Sequence, residues 1–517
     1  MLNPIDPKSA PATRFDALDQ MAIGYLCLPL LIFLAGWFEW WAAVPLLACT
    51  AYALRPLIAL PSGARYLPLT ALQLSVAVCV GCLWSYLGGT DHLVFTNADW
   101  HVRDAVLHDL VDSRWPVGYG LLNGQESVLR APLAYFLPAA LVGKAFGLGA
   151  AHLAMLLWTA FGATLFLLQV LSLTRSRLAV ALTVAAVVVF FSGFDIIGSL
   201  LNDGPRFRQV WNITTHLEWW AGTYQYSSMT TQLFWVPNHA LGGWLLIGLL
   251  YRSDRSTRLD AVLPIVFISA ALWSPLTAIG LVPFILWKLG TGLTRERIRQ
   301  LLNLRVWAPA CIVGVAVAAY LALDPGRIPK GLALVKDAAG GTTMNLLRQA
   351  QFFLLEAGFI GFAILSIRRS SDVVLALIVL AVLPFVYLGG GNDFVMRASI
   401  PSLAVLSIAS CLALVEDSVA SSSRRNKGIL IGLLTIGAVT PVAEIARAII
   451  LPTWPINLQA TLVGVSCASY PPHYIARLGD ETIDHLLRRP DQISLGPLDR
   501  EACYNPAIGL MWRGNPL

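Results

Sequence analysis

Residues 67–88 read LPLTALQLSVAVCVGCLWSYLG, and a few positions on, residues 97–104 read NADWHVRD. The first stretch is an apolar run of the length a helix needs to cross a hydrocarbon core of ~30 Å. The second crowds Asp99, His101, Arg103 and Asp104 together, and the charge continues through His108, Asp109, Asp112 and Arg114 to Trp115-Pro116. Ionisable groups beside a bilayer are costly to keep, so the cluster marks a candidate functional site.

The rest of the chain has the character of the first stretch. Of its 517 residues, 56% are hydrophobic and only 13% charged, about half the ~25% charge of ordinary soluble domains. Mean hydropathy is +0.66. Apolar runs recur at about 20–37, 40–54, 67–88, 150–173, 179–199, 237–251, 260–273, 276–290, 307–322, 351–367, 372–389, 399–416 and 428–443. The fold class read from them is all-α, a polytopic helical membrane protein with about 13 spans. A membrane β-barrel would alternate apolar and polar residues, and no such segment is present.

The net charge of +6 does not point to nucleic acid, because Lys and Arg gather in short loops between apolar runs. Arg55/Arg65, Arg175/Arg177, Arg252/Arg255/Arg258, Arg295–Arg305, Arg368/Arg369 and Arg424/Arg425/Lys427 are expected on the cytoplasmic side. The N-terminus is then inside, with three sizeable outer loops at 89–130, 200–236 and 323–350. A membrane region spans 1–447, and a small extracytoplasmic tail follows at 448–517. Residues 1–20 lack a short apolar core with a cleavage site, so the first run reads as a retained span. Residues 131–147, short and interrupted by Pro132, Pro138 and Lys144, read as a re-entrant or interfacial segment. Trp273-Ser274-Pro275 reads as a turn between two spans. Cys79 and Cys82 lie inside a span and read as packing residues. Cys467 and Cys503 lie in the tail, where an oxidising compartment would allow a disulfide.

The polar candidates converge on the outer side. A helix over 99–112 has Ala105, Val106, Leu110 and Val111 for an apolar face and is expected to lie on the membrane surface, with Asp99 at its start and His108, Asp109 and Asp112 solvated. The second loop carries His216, Glu218, Trp219, Trp220, Tyr224, Tyr226, Trp235 and His239. Such aromatic density suits an interfacial belt and equally the packing of sugar rings on aromatic faces. Gly389, Gly390 and Gly391 precede Asn392, Asp393 and Arg397. Arg397 at the outer end of a span suits a phosphate, and it is also spaced to pair with Asp393. Arg327 and Lys330 are a further anionic contact. Asp195 and Glu356, in or near apolar runs, are expected to face protein or water. No GxxxxGK loop, GxGxxG fingerprint, HExxH helix or GxSxG elbow is present.

Asp99 in a loop followed by an amphipathic stretch, then Ala131-Pro132-Leu133-Ala134-Tyr135-Phe136 through Phe146-Gly147, an apolar run ending at Arg175-Ser176-Arg177 and a further run together resemble the N-terminal module of the GT-C superfamily of integral-membrane glycosyltransferases. The resemblance covers about residues 67–200. It implies sugar transfer from a polyprenyl-phosphate donor to a glycan, lipid or protein acceptor at the periplasmic face of a bacterial inner membrane. Asp99 would be the general base, with Asp104 as second candidate. His101, Arg103, Glu218, Tyr224, Trp235, His239, Lys330, Asn392, Asp393 and Arg397 would bind substrate. No cofactor is required, although clustered carboxylates suit Mg²⁺ or Mn²⁺. A transporter or flippase of a lipid-linked saccharide is the alternative, with Asp195 and Glu356 as its best support.

Overall fold

A bilayer offers the backbone no hydrogen-bond partners, so apolar runs that enter it close their bonds internally as helices. The computed structural model describes residues 16–58, 69–122, 124–203, 213, 216–222, 224–253, 257–291, 293–332, 341–389, 391–416, 421–466, 471, 473–479 and 485–492. Cys467 and Cys503 lie outside the described residues. The protein is a helical membrane protein, 72% helical, and a helix occupies each apolar run read from the sequence. Among the described residues, seven helices are long and apolar enough to cross a membrane: Ala17–Trp37, Leu148–Leu171, Leu178–Asn202, Leu304–Leu321, Leu346–Ile367, Asp393–Val415 and Ser423–Ile450. The other runs form helices that fall short in length or apolarity.

Local chemistry sets the helix ends. Thr70 and Gln73 form a reciprocal capping box that opens Ala71–Leu87, satisfying two amides a helix start leaves orphaned. Ser274 caps Pro275–Gly290 through Thr277 N, so Trp273-Ser274-Pro275 is a break between two helices, as its proline demands. Gly147, at φ 89°, separates Leu137–Phe146 from Leu148–Leu171. The first of these has ten residues, about 15 Å of helix, which is half a hydrocarbon core.

Buried polar side chains and close backbone approach tie the helices together. Trp84 Nε1 donates to Thr230 Oγ1 at 3.0 Å, and Trp244 Nε1 donates to Gln232 Oε1 at 2.8 Å. The ring of Tyr25 stacks on Trp158 at 3.9 Å and on Trp273 at 5.3 Å. At one end of the bundle, Arg252 is pinned to Asp16 and Asp19, and Arg297 to Asp260. Gly81 lets Ala71–Leu87 approach Leu148–Leu171 so closely that a Cβ there would lie 2.3 Å from Thr164 Oγ1 and 3.0 Å from its Cα. Small residues at helix crossings serve this purpose where lipid supplies no hydrophobic drive.

The structure departs from the all-α expectation at two small sheets. One has the order Ile475–Arg477, Gln125–Leu129, Val117–Leu122, Asp491–Gln492. Its two middle strands form an antiparallel hairpin, and the outer two come from the C-terminal tail. The tail is therefore stitched to the first outer loop. Arg130 N donates to Tyr474 O, and Arg488 Nε donates to Phe38 O at 2.9 Å. The second sheet pairs Lys330–Leu332 with Val386–Leu388, holding the third loop against the glycine turn. Neither sheet has the length or alternation that would announce it in a sequence.

Gly81→Leu is expected to force the two helices apart, at a cost of about 1–3 kcal/mol. Thermal unfolding of the detergent-solubilised protein should show a lowered midpoint relative to Gly149→Leu, where a Cβ meets nothing within 4 Å.

Candidate functional site

The acidic loop enters its helix through Asn97. Asn97 Oδ1 accepts from Asp99 N at 3.2 Å, while its Nδ2 donates to Phe234 O at 2.9 Å. Trp100 Nε1 donates to the same carbonyl at 2.9 Å. The helix Trp100–Asp112 that follows does not lie flat with a solvated polar face. Arg103, Asp104 and Asp109 are buried beside Ala105, Val106 and Leu110. Tyr119 Oη, Leu462 N and His108 Nδ1 all donate to or contact the Asp109 carboxylate. Burial pushes the Asp109 carboxyl above its usual range, against those bonds. Asp112 alone of the three residues expected in solvent is well exposed.

Asp99 and Asp104 are sorted by access. Asp104 is 3% exposed and takes His92 Nε2 at 2.8 Å, with His152 Nδ1 4.0 Å away. The Asp99 side chain keeps 33% exposure and pairs with Arg103 Nη2 at 3.1 Å. The pair is half-buried, with Arg103 covered and Asp99 partly open, so it orients the carboxylate while leaving it reachable. The remaining guanidinium nitrogens of Arg103, Nε and Nη1, are buried with no hydrogen-bond partner among the described residues. His101 stacks on Trp454 at 4.1 Å, and Trp454 Nε1 in turn donates to Thr96 O at 2.8 Å.

The glycine turn arrives at the same place. Gly389 has φ 92°, and a Cβ there would meet Asp393 Oδ2 at 2.3 Å. Glycine is required on both counts. Asn392 adopts the left-handed conformation, at φ 59°, at the start of Asp393–Ala398, yet its side chain makes no cap bond. Both amide atoms of Asn392 are buried without a partner among the described residues, as is Arg397 Nε. Arg397 Nη2 pairs with Asp393 Oδ1 at 2.8 Å. Thr277 Oγ1 bonds both Arg397 O and His239 O. His239 Nδ1 lies 2.9 Å from Ser274 Oγ and Nε2 3.2 Å from Asn238 Nδ2.

The two halves share one electrostatic neighbourhood. Arg103 and Arg397 both act on His239, and Arg103, Arg397, Asp99 and Asp393 all act on Tyr474. Asp393, Arg397 and Arg130 act on His473. The tail residues His473 and Tyr474 are thus members of the site that sequence reading missed. Their only signal is an aromatic pair after Pro471-Pro472, too slight to single out. Lys330 stands exposed on its strand, paired in register with Leu388 next to Gly389.

His239 apart, the second-loop candidates form a separate cluster. Glu218 is buried, accepting from Ser228 N and Gln225 Nε2 at 2.8 Å each. Trp235 Nε1 donates to Glu444 Oε2 at 2.9 Å. The centre of this cluster is His216, 2.8 Å from Glu444 Oε1 and 3.6 Å from Glu218 Oε2, with its ring stacked on Trp235 at 4.7 Å. Arg447 Nη1 completes it at 2.6 Å from Glu444 Oε1. Tyr224 packs on Phe352 and accepts from Gln349 at 3.3 Å. Asp195 and Glu356 are buried, and Asp195 Oδ2 accepts from Ser192 Oγ at 3.0 Å and Thr440 Oγ1 at 2.8 Å. Glu356 sits on the π-helical turn Leu354–Gly358 and receives Trp220 Nε1 at 2.7 Å. Trp235 and His216 therefore tie the second loop to the last long helix through Glu444, while Glu218 braces the loop internally.

No group of three or more His, Cys, Asp or Glu among the described residues is arranged to hold a metal ion. No family model, curated protein or solved structure matches this chain.

Burial alone disfavours the His216 imidazolium, but the Glu444 and Glu218 carboxylates overcome it and hold the ring charged up to about 9. The group is raised above its ordinary 6.5, so its stabilisation is complete below that value and lost as pH rises through about 9. Unfolding midpoints measured across this window should fall with pH, and His216→Gln should flatten that dependence.

Proposed function

We propose that this protein is a membrane glycosyltransferase of the GT-C kind, with about 13 spans in a bacterial inner membrane. The N-terminus lies in the cytoplasm and the Asp99 site at the periplasmic face. It transfers a sugar from a polyprenyl-phosphate donor to an acceptor hydroxyl. The observation that carries this reading is the set of buried donors without partners on Arg103 and Arg397, near an accessible carboxylate. Leaving a buried donor unsatisfied costs roughly 1–3 kcal/mol, a debt that phosphate oxygens relieve. Arginine grips phosphate in a fork, and both arginines already have a carboxylate partner that fixes their orientation.

In the reaction, Asp99 accepts the proton of the acceptor hydroxyl as its oxygen bonds to the anomeric carbon. The bond from that carbon to the phosphate oxygen breaks, and its electron pair leaves on the polyprenyl phosphate. Arg103 and Arg397 hold the charge that develops there. Asn392 adds a neutral donor and acceptor for the phosphate or a sugar hydroxyl.

Asp99→Asn is expected to lower transfer on the order of 10²- to 10⁴-fold with normal folding, measured with purified protein and a polyprenyl-phosphate sugar in detergent. Arg397→Gln should lower it about 10²- to 10³-fold. Asp104→Asn should lower the unfolding midpoint through loss of the His92 bond more than it lowers transfer. Wild-type transfer by Asp99→Asn would sink the assignment.

The buried Asp195–Glu356 pair favours a second reading, a flippase of a lipid-linked saccharide that relays protons. Turnover in detergent, without sealed compartments, supports the enzyme. Activity seen only in sealed vesicles and abolished by Glu356→Gln supports the flippase.

A further inference from the structure

The helices that carry the outer site also enclose a cavity at their other ends. His239 and Tyr251 stand near opposite ends of Pro237–Arg252, roughly 18 Å apart along the axis. Thr277 and Lys288 are placed likewise on Pro275–Gly290. Around Tyr251 and Lys288 lies a cavity of about 330 Å³, bounded on its third side by the start of Ser371–Val382. A second cavity of about 420 Å³ shares Tyr251 and Arg368 with it and adds Arg175. Both lie on the face whose loops are basic, the cytoplasmic side by the positive-inside rule.

Arg368 and Arg369 line this region beside the carboxylate of Asp372. Asp372 is engaged, since the Tyr251 and Ser370 hydroxyls both donate to it. The ion pairs near this face join Arg252 to Asp16 and Asp19, and Arg297 to Asp260. Arg368 and Arg369 take part in none among the described residues. The first turn of Ser371–Val382, which follows them, has no side-chain cap, so its amides add to the positive field. The remaining walls are apolar and aromatic, with Ile247, Phe284, Trp287 and Val405 prominent.

We infer that these joined cavities bind the headgroup of an anionic phospholipid of the cytoplasmic leaflet. Its phosphodiester lies against Arg368 and Arg369, and its glycerol and first acyl carbons lie along Phe284 and Trp287. Basic pockets between transmembrane helices on the cytoplasmic side suit lipid headgroups. A soluble phosphate would satisfy the arginines and leave the apolar wall unused, whereas a lipid uses both. The lipid would brace the ends of the two helices whose opposite ends carry His239 and Thr277. This site stands apart from the proposed glycosyl transfer and does not depend on it.

The test uses the full chain in nanodiscs of phosphatidylcholine, with and without phosphatidylglycerol. Native mass spectrometry of the released protein should show retained phosphatidylglycerol. Arg368→Gln with Arg369→Gln should reduce its occupancy about thirtyfold. The double variant Arg424→Gln with Arg425→Gln, at exposed positions in another helix, should retain the lipid. A measurement free of variants runs beside it: phosphatidylglycerol should raise the wild-type unfolding midpoint, and phosphatidylcholine or millimolar inorganic phosphate should not. Equal retention by wild type and the 368/369 variant overturns the inference. So does equal loss in the 424/425 variant, which would mean general surface attraction. A midpoint raised as much by inorganic phosphate would assign the cavities to a soluble anion instead.

Discussion

The carbonyl of Phe234 accepts two hydrogen bonds, from Asn97 Nδ2 and from Trp100 Nε1, each at 2.9 Å. It lies at the end of the short helix Met229–Trp235, where carbonyls lose their intrahelical partners and must find others. Here the first outer loop supplies them from either side of Asp99. The loop is thereby anchored to the helical bundle and not merely laid on it. The same contact sets the direction of Trp100–Asp112, and with it the burial of Arg103 and Asp104. Arg103 then reaches back one turn to hold Asp99. Without this anchor the acidic residue would be one more solvated charge at a membrane surface.

Charge in this protein is otherwise conserved with economy, as a low-dielectric setting demands. A buried ion without a partner costs several kcal/mol, and most buried charges have one. Asp104 is met by His92, Glu444 by His216 and Arg447, Asp260 by Arg297, and Asp109 by Tyr119 and His108. These clusters join segments far apart in the chain. Against that background the arginine nitrogens left over stand out. They occur at Arg103 and Arg397.

The helical membrane class was legible in composition and in the recurrence of apolar runs, because bilayer thickness imposes a length on them. The break at Trp273-Ser274-Pro275 was legible because proline has no amide to give. Asn392, Asp393 and Arg397 stood out through the glycines before them, and Gly389 does carry the turn that covers Asp393. Much of the rest was not legible. Glu444 and Arg447 sit on an apolar helix and meet His216 more than two hundred residues away, a pairing no local pattern announces. Asp109 looked solvated because Trp100–Asp112 has polar residues on several sides, whereas the hairpin and the Leu462 segment cover the side that would have faced water. The strands contributed by the tail are two or three residues long, below the reach of any periodicity. His473 and Tyr474 enter the site only because those strands pair.

The central claim is that Arg103 and Arg397, drawn together from distant parts of the chain, form one phosphate site beside Asp99. A structure of the full chain bound to a polyprenyl phosphate tests it most directly. The account predicts the phosphate oxygens within hydrogen-bond distance of Arg103 and Arg397, with the Asp99 carboxylate facing the position of the sugar. A phosphate seated at Arg368 and Arg369, or anywhere remote from Asp99, would contradict it.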